Sequence, residues 1–207
     1  MSALNPLDPL AYLGEQLAQM KEAGSYFRLR ELESPCEPVS RADGREVINL
    51  ASNNYLGLAN HPKLKEAAIE AVRKFGAGSG AVRTITGTMA MHMELERKIA
   101  AFKHSEACVV FQSGFAANAG TVSAILGPED HIISDELNHA SIIDACKLSG
   151  ATILRYPHNS VEGLREVLYG RKGESCRKLV VSDGVFSMDG DVAPLPGLVE
   201  AAEEFGA

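Results

Sequence analysis

Beyond residue 106 the chain alternates short apolar runs with longer mixed segments. "ACVVF" (107–111), "HIIS" (131–134), "TILRY" (152–156) and "KLVVSD" (178–183) are short and apolar and read as buried strands. Between them "GFAANAGTVSAIL", "HASIIDACKLSG" and "SVEGLREVLYG" carry helical spacing, and "PLPGLVEAAEEFGA" starts one more helix. Strand and helix alternating four times predicts a mostly parallel α/β sheet covered on both faces. Ligands of such sheets sit beyond the carboxyl ends of the strands. The loops to inspect are therefore 112–115, 134–139, 156–160 and 182–191.

The earlier part is less regular. Residues 8–23 predict an amphipathic helix, with Leu10, Leu13, Leu17 and Met20 on one stripe and Gly24 as a stop. A polar stretch with Pro35 and Pro38 follows, then the turn "ADGR" and the short strand "EVINL". This divides the chain into an N-terminal helical arm and linker, 1–45, and a larger domain, 46–207. "NHPKLKEAAIEAVRKFG" predicts a helix with Asn60 as cap, Pro62 in the first turn and Gly76 as stop. "MHMELERKIAAFK" predicts another.

Composition narrows the function classes. A length of 207 residues suffices for one well-cored domain, and 45% hydrophobic with 23% charged residues is ordinary for a soluble globular protein. A net charge of −7 without any basic block argues against nucleic acid as a partner. It leaves small anions open, because a few backbone donors suffice to hold a phosphate. The four cysteines lie far apart with no CxxC pair, which suits reduced thiols in a cytoplasmic protein. The six histidines form no HxxxH or HExxH, so no metal is expected. The first residues lack the basic start and continuous apolar core of a signal peptide, and no run is long enough to span a bilayer.

Four stretches carry candidate chemistry. "GAGSGA" matches a dinucleotide fingerprint as a string, but it follows a helix and not a strand, so it fails as one. In "VVFQSGFAAN" a strand gives way to Ser113-Gly114-Phe115 and a helix. The free amides of that helix start suit a phosphate, although for this stretch in isolation a simple turn needing glycine is the favoured reading. "VVSDGVFSMDGDVAPL" holds Asp183, Ser187, Asp189 and Asp191 at a spacing that fits no metal loop. Its Val185-Phe186 pair is odd for a solvated turn and implies packing. In "SDELNHASIID", Asn138 is a competent cap and His139 opens the helix. Near the positive end of a helix dipole an imidazole resists protonation, so it offers a flat aromatic face more than a base. A surface or capping role stays open. No G-x-S-x-G elbow is present.

Together "SNNYLGLANHP", "GAGSGAVRTITGT" with "HMELE", "QSGFAAN", "SDELNHASIID" and "SDGVFSMDGDVAPL" resemble the α-oxoamine synthases. These belong to the fold-type I superfamily of pyridoxal-phosphate enzymes. The resemblance implies the three-layer, mostly parallel large domain of that fold, truncated before its last strands and the C-terminal domain. It implies pyridoxal 5'-phosphate as cofactor and a homodimer with active sites at the interface. His139 matches the histidine that stacks on the cofactor ring, Gly114 and Phe115 match the phosphate-holding positions, and Ser187 matches a serine near the phenolic oxygen. Asn53 matches a substrate-contacting asparagine, and Arg28 a basic residue of the N-terminal arm that meets substrate.

The implied chemistry is a Claisen-type condensation, in which an amino-acid carbanion attacks an acyl-CoA thioester. The family's cofactor-bearing lysine has no match here, since no lysine stands in the Ser/Thr-Lys setting, and its ring-pairing aspartate has none either. No catalytic residue is therefore assigned. The chain is expected to be the N-terminal part of an enzyme, inactive by itself. Asn54 in "SNNYLGL" and Asp183 in "SDGVFSMDG" incline the reading to glycine C-acetyltransferase, acting on glycine and acetyl-CoA in threonine metabolism. The alternative is 8-amino-7-oxononanoate synthase of biotin biosynthesis, using alanine and a pimeloyl thioester. A reading of another class is a short non-catalytic homologue that binds a ligand or partner.

Overall fold

The computed structural model describes residues 9–207. The contacts divide the chain into two compact units on either side of the Gly87–Thr88 bond.

In the first unit, α1 (Ala11–Glu22) forms where the amphipathic pattern predicts it, while the expected start at Asp8 lies outside the described residues. Strands β1 (Val39–Ala42) and β2 (Arg45–Ile48) pair antiparallel through the Asp43-Gly44 turn. Both turn residues have positive φ, 48° and 74°, the geometry of the two-residue hairpin that Asp-Gly favours. The Asp43 carboxylate holds the preceding segment, accepting from Arg30 Nη1 at 2.7 Å and the Glu31 N–H at 3.1 Å. The Arg30 bond is the main reason its pKa lies below the usual carboxylate value.

Helix α2 (Pro62–Phe75) carries the expected proline in its first turn and ends at Gly76, whose φ is 83°. Its cap is His61, whose Nδ1 accepts the Lys63 N–H at 3.2 Å, and not the predicted Asn60. Asn60 turns away, its amide donating to Glu37 Oε1 at 2.6 Å. A single π-helical turn, Arg83–Gly87, closes the unit.

The second unit carries the layers. Helices α3 (Ala90–Lys103) and α4 (Gly114–Ile125) come first, followed by β3 (His131–Asp135), α5 (Ala140–Ser149), β4 (Thr152–Tyr156), α6 (Val161–Tyr169), β5 (Lys178–Val181) and α7 (Leu195–Glu204). The sheet is parallel in the order β4-β3-β5. Strand β3 is buried from Ile132 to Asp135, as a central strand covered on both faces must be.

Its two isoleucines explain the layering. Alternate residues of a strand point to opposite faces. Ile133 joins Tyr156, Leu164, Leu168, Phe186 and Leu198 under α6 and α7. Ile132 joins Val122, Leu126, Ala145 and Cys146 under α4 and α5. Both isoleucines are fully buried, and each contributes about 1.5–3 kcal/mol by leaving water.

The expected strand at 107–111 is absent among the described residues. The segment lacks a neighbouring strand to bond, and the Val110 N–H donates to the Glu96 carboxylate at 3.0 Å. Strand status needs a ladder, which an apolar run alone does not supply. No described helix is long and apolar enough to cross a membrane.

Candidate functional site

The carboxyl ends of β3 and β5 deliver two loops to one end of the sheet, and Asn138 ties them. Its Nδ2 donates to the Val181 carbonyl at 2.9 Å and to Ser134 Oγ at 3.0 Å. Its Oδ1 accepts the Asp183 N–H at 2.8 Å. With its side chain spent on these tertiary bonds, Asn138 does not cap α5 as the sequence predicts.

His139 caps it instead. Its Nδ1 accepts the Ser141 N–H at 3.1 Å, which leaves the ring proton on Nε2. Ser141 Oγ lies 2.8 Å from the same nitrogen and accepts from Asn118 Nδ2 of α4 at 2.9 Å. The His139 N–H donates to Asp183 Oδ2 at 2.7 Å. The ring is thus held at Nδ1 by Ser141 and the backbone by Asp183, while the residue stays exposed.

Asn118 couples this ring to the start of α4. Gly114 stands one turn earlier on the same helix, about 6 Å along the axis. Ser113 caps α4, its Oγ accepting the Ala116 N–H at 3.1 Å. The Gly114 and Phe115 amides, in the first turn, have no acceptor within the helix. Both residues are exposed, and a Cβ on Gly114 would meet nothing within 4 Å. Open space, free donors and the positive helix end together fit a phosphate ester.

The 182–193 loop folds back on itself. Val185 bridges Val192, the Phe186 N–H donates to the Asp191 carbonyl at 2.8 Å, and Gly190 donates back to Phe186 at 2.7 Å. Phe186 is 2% exposed, the packing that the Val-Phe pair implied. It anchors the loop and leaves Ser187 exposed beside it. Asn53 and Arg28 stand in the first unit. Asn53 Oδ1 accepts from the Tyr55 hydroxyl at 3.2 Å, and Arg28 lines a concavity of about 610 Å³ with Arg30, Asp43, Arg45 and Val47.

A further cluster escaped the sequence reading. His158 Nδ1 lies 3.0 Å from Asp135 Oδ1, and its Nε2 lies 3.1 Å from Asp191 Oδ2. Its ring meets Phe186 edge-on, with centroids 4.4 Å apart. Asp135 is 1% exposed and also accepts the Leu137 and Asn159 amides. The Asp135 bond is the main cause of a raised His158 pKa; partial burial opposes it and Asp191 adds to it. The signal was available, since Asp135, His158 and Asp191 each lie in an inspected loop, but nothing local pairs them.

A parallel sheet with a helix start suited to an anion and a hydrogen-bonded imidazole near its carboxyl end points to a class, and comparison with known proteins agrees. Residues 45–206 match the family model "Aminotransferase class I and II". The chain belongs to this family, within the α-oxoamine synthase group of fold-type I pyridoxal-phosphate enzymes. It is 59% identical over 195 residues to an 8-amino-7-oxononanoate synthase of Symbiobacterium thermophilum, a match covering 94% of this chain and 50% of the relative. A protein of the same name from Thermoanaerobacter pseudethanolicus is 56% identical, over 100% of this chain and 52% of the relative. Among solved structures, a serine palmitoyltransferase of S. paucimobilis with a bound PLP–myriocin aldimine superposes with a TM-score of 0.86 at 35% identity. That match covers 98% of this chain and 51% of the other. The chain spans about half the length of the curated relatives it matches. Pyridoxal 5'-phosphate is the cofactor of this family, as the resemblance implied.

The inclination to glycine C-acetyltransferase and threonine metabolism is overturned. Relatives at 50% to 59% identity over nearly the whole chain carry the name 8-amino-7-oxononanoate synthase. The two residues behind that inclination have structural work to do. Asn54 bridges the Cys36 carbonyl and the Ala59 N–H, and Asp183 holds the His139 N–H. Such turn-fixing contacts carry no information about the substrate.

Proposed function

We propose that this chain carries the cofactor-holding part of an 8-amino-7-oxononanoate synthase, a pyridoxal-phosphate-dependent acyltransferase joining alanine to a pimeloyl thioester. The observation that carries the reading is the hydrogen-bonded link from α4 through Asn118 and Ser141 to His139. It ties the first turns of α4 to the His139 ring, which supports a phosphate site beside a stacking face. The names of the relatives support the choice of substrates.

When bound, the cofactor supplies an electron sink for the amino-acid carbanion. The residues of this chain position it. The Gly114 and Phe115 amides would hold the phosphate, and the His139 ring would stack on the pyridine ring. Ser141 holds that ring through Nδ1 and Asp183 holds the His139 backbone, so little freedom would be lost on stacking. The Ser187 hydroxyl would donate near the cofactor's phenolic oxygen. Asn53 and Arg28 meet the substrates, and the Arg28 concavity, with Arg30 and Arg45 beside it, suits an acyl donor bearing negative charge.

Two copies of the chain pair, with the active sites at their interface. Phe27, Leu29, Leu50, Tyr55 and Leu56 of the first unit are each more than 80% exposed, more apolar surface than a lone soluble unit ordinarily shows.

The test is a paired assay of the protein purified from its own cells. Release of CoA from pimeloyl-CoA with alanine should exceed that from acetyl-CoA with glycine by at least about ten-fold in kcat/KM, or 1.4 kcal/mol. The reverse preference would overturn the substrate assignment, and no cofactor-dependent turnover with either pair would overturn the synthase.

A further inference from the structure

At the opposite end of the sheet, three side chains converge that the cofactor site does not use. His131 is the first residue of β3, and Glu174 and Cys176 lie in the loop that enters β5. His131 Nδ1 is 3.2 Å from Glu174 Oε2 and 3.5 Å from Cys176 Sγ. All three ligand atoms lie within 4.8 Å of one another. His131 and Asp135 lie four residue steps apart along β3, about 13 Å of strand, so this cluster is remote from the His139 loop.

We propose that His131 Nδ1, Glu174 Oε2 and Cys176 Sγ form a binding site for a divalent transition metal of the zinc type, with water as fourth ligand.

Ligand spacing is the first argument. A tetrahedral ion with a bond of about 2.05 Å to nitrogen, 2.3 Å to sulfur and 2.0 Å to oxygen holds its nitrogen about 3.6 Å from sulfur and about 3.3 Å from oxygen. The separations in the structure match both. An ordinary His-carboxylate hydrogen bond would have no need of a thiol at the third corner. The second argument is orientation of the ligands. Glu174 Oε1 accepts from Arg171 Nη1 at 3.3 Å, which leaves Oε2 turned toward His131. The His131 backbone is held by the ladder, its N–H donating to the Arg177 carbonyl at 2.9 Å. Such outer contacts are what fix metal ligands in place. The third argument is the charge nearby. Arg177 and Asp130, which flank the cluster in sequence, neutralise each other through bonds of 2.7 and 3.1 Å. The local charge on the ion is then set by the ligands.

Ligand chemistry selects the metal. A thiolate with an imidazole favours zinc, cobalt or copper over the hard cations magnesium and calcium. On binding, the Cys176 thiol releases its proton to solvent and the neutral imidazole offers its Nδ1 lone pair. The bound ion would pin the 170–177 loop, which turns at Gly173 with φ 88°, to the start of the central strand. The role is structural, and it is independent of the cofactor reading.

Cobalt(II) and zinc(II) are the probes. Metal-free full chain titrated with CoCl2 should develop a thiolate-to-cobalt charge-transfer band at one equivalent, and ZnCl2 should abolish it while MgCl2 should not. Cys176→Ser should remove the band. His131→Gln and Glu174→Gln should each weaken zinc by at least about ten-fold, the lower end of what losing even an outer-shell partner costs. Cys36→Ser, which removes another half-buried thiol, should leave the band intact. Far-ultraviolet circular dichroism checks that each variant folds, and His131→Gln decides the matter should Cys176→Ser not fold. No stoichiometric band in the unaltered chain, or an unchanged band in Cys176→Ser, would overturn the site.

Discussion

His158 is held between two carboxylates, with Asp135 3.0 Å from its Nδ1 and Asp191 3.1 Å from its Nε2. Asp135 ends β3 and Asp191 belongs to the loop beyond β5, so the imidazole joins two neighbouring loops at the carboxyl end of the sheet. Each ring nitrogen meets a carboxylate oxygen, and Nε2 also lies 3.2 Å from the Asn159 side-chain amide nitrogen.

A pH dependence follows with a definite sign. The Asp135 bond raises the His158 pKa above its ordinary value of 6.5. A group whose folded pKa is raised stabilises the fold fully below its unfolded value and loses that stabilisation as pH rises through the folded value. Melting temperature should therefore fall as pH climbs beyond 6.5. His158→Gln should lie below the unaltered protein at acid pH, with the gap closing toward alkaline pH. Parallel melting curves for the two proteins across that range would refute the linkage.

Asn138 makes the other join between these loops, and its loss should be felt in stability. Asn138→Ala would strip the Val181 carbonyl and the Asp183 N–H of their side-chain partner in a position that is 4% exposed. Buried polar groups left without partners cost about 1–3 kcal/mol. Urea denaturation should show that loss as a lower midpoint with an unaltered slope. An unchanged midpoint would mean that solvent replaces both bonds.

These two residues show where the sequence is legible and where it stops. Strands β3, β4 and β5 and the helices between them follow from local apolar patterns, and their bounds agree with the reading to within a residue or two. The same pattern misleads at 107–111, because the ladder partner is a non-local fact. Asn138 looks like a cap from its neighbours alone. Its real partners, Val181 and Asp183, lie 43 and 45 residues away, and they move the capping role to His139. The start of α4 at Gly114 was legible because the change from an apolar run to Ser-Gly and helical spacing is local. The His158 carboxylates and the His131, Glu174 and Cys176 cluster were not, since only the parallel register brings their strands together.

Close packing between α6 and the chain before it can be tested at a glycine. A Cβ added at Gly163 would lie 2.6 Å from Pro157 Cδ and 3.1 Å from Ser160 Oγ. Helix propensity favours alanine over glycine by about 1 kcal/mol, while overpacking costs about 1–3 kcal/mol. The proline ring cannot rotate away, so the clash wins. Gly163→Ala should lower the melting temperature by roughly 2–6 °C. Gly14→Ala in α1, where a Cβ meets nothing within 4 Å, should leave it unchanged or raise it slightly. Equal shifts for the two would show that propensity, and not the Pro157 contact, governs Gly163.

The proposed stacking role of His139 makes Ser141 a positioning residue, because it holds the ring without facing the cofactor. Its N–H and Oγ both engage His139 Nδ1, and its Oγ receives Asn118 from α4. Ser141→Ala keeps the backbone bond but removes the hydroxyl that couples ring and helix. One neutral hydrogen bond contributes about 0.5–1.5 kcal/mol, so pyridoxal-phosphate affinity of the protein from its own cells should weaken by roughly two- to twelve-fold. The visible circular dichroism of the bound cofactor should also change, because a freer ring holds it less rigidly. Asn118→Ala should move both readouts in the same direction and by less, since it leaves the Ser141 hydroxyl against His139. A loss of stability in Ser141→Ala with cofactor affinity and dichroism unaltered would assign the pair to the packing of α4 on α5 alone. That result would remove the link between the start of α4 and the His139 ring on which the cofactor site rests.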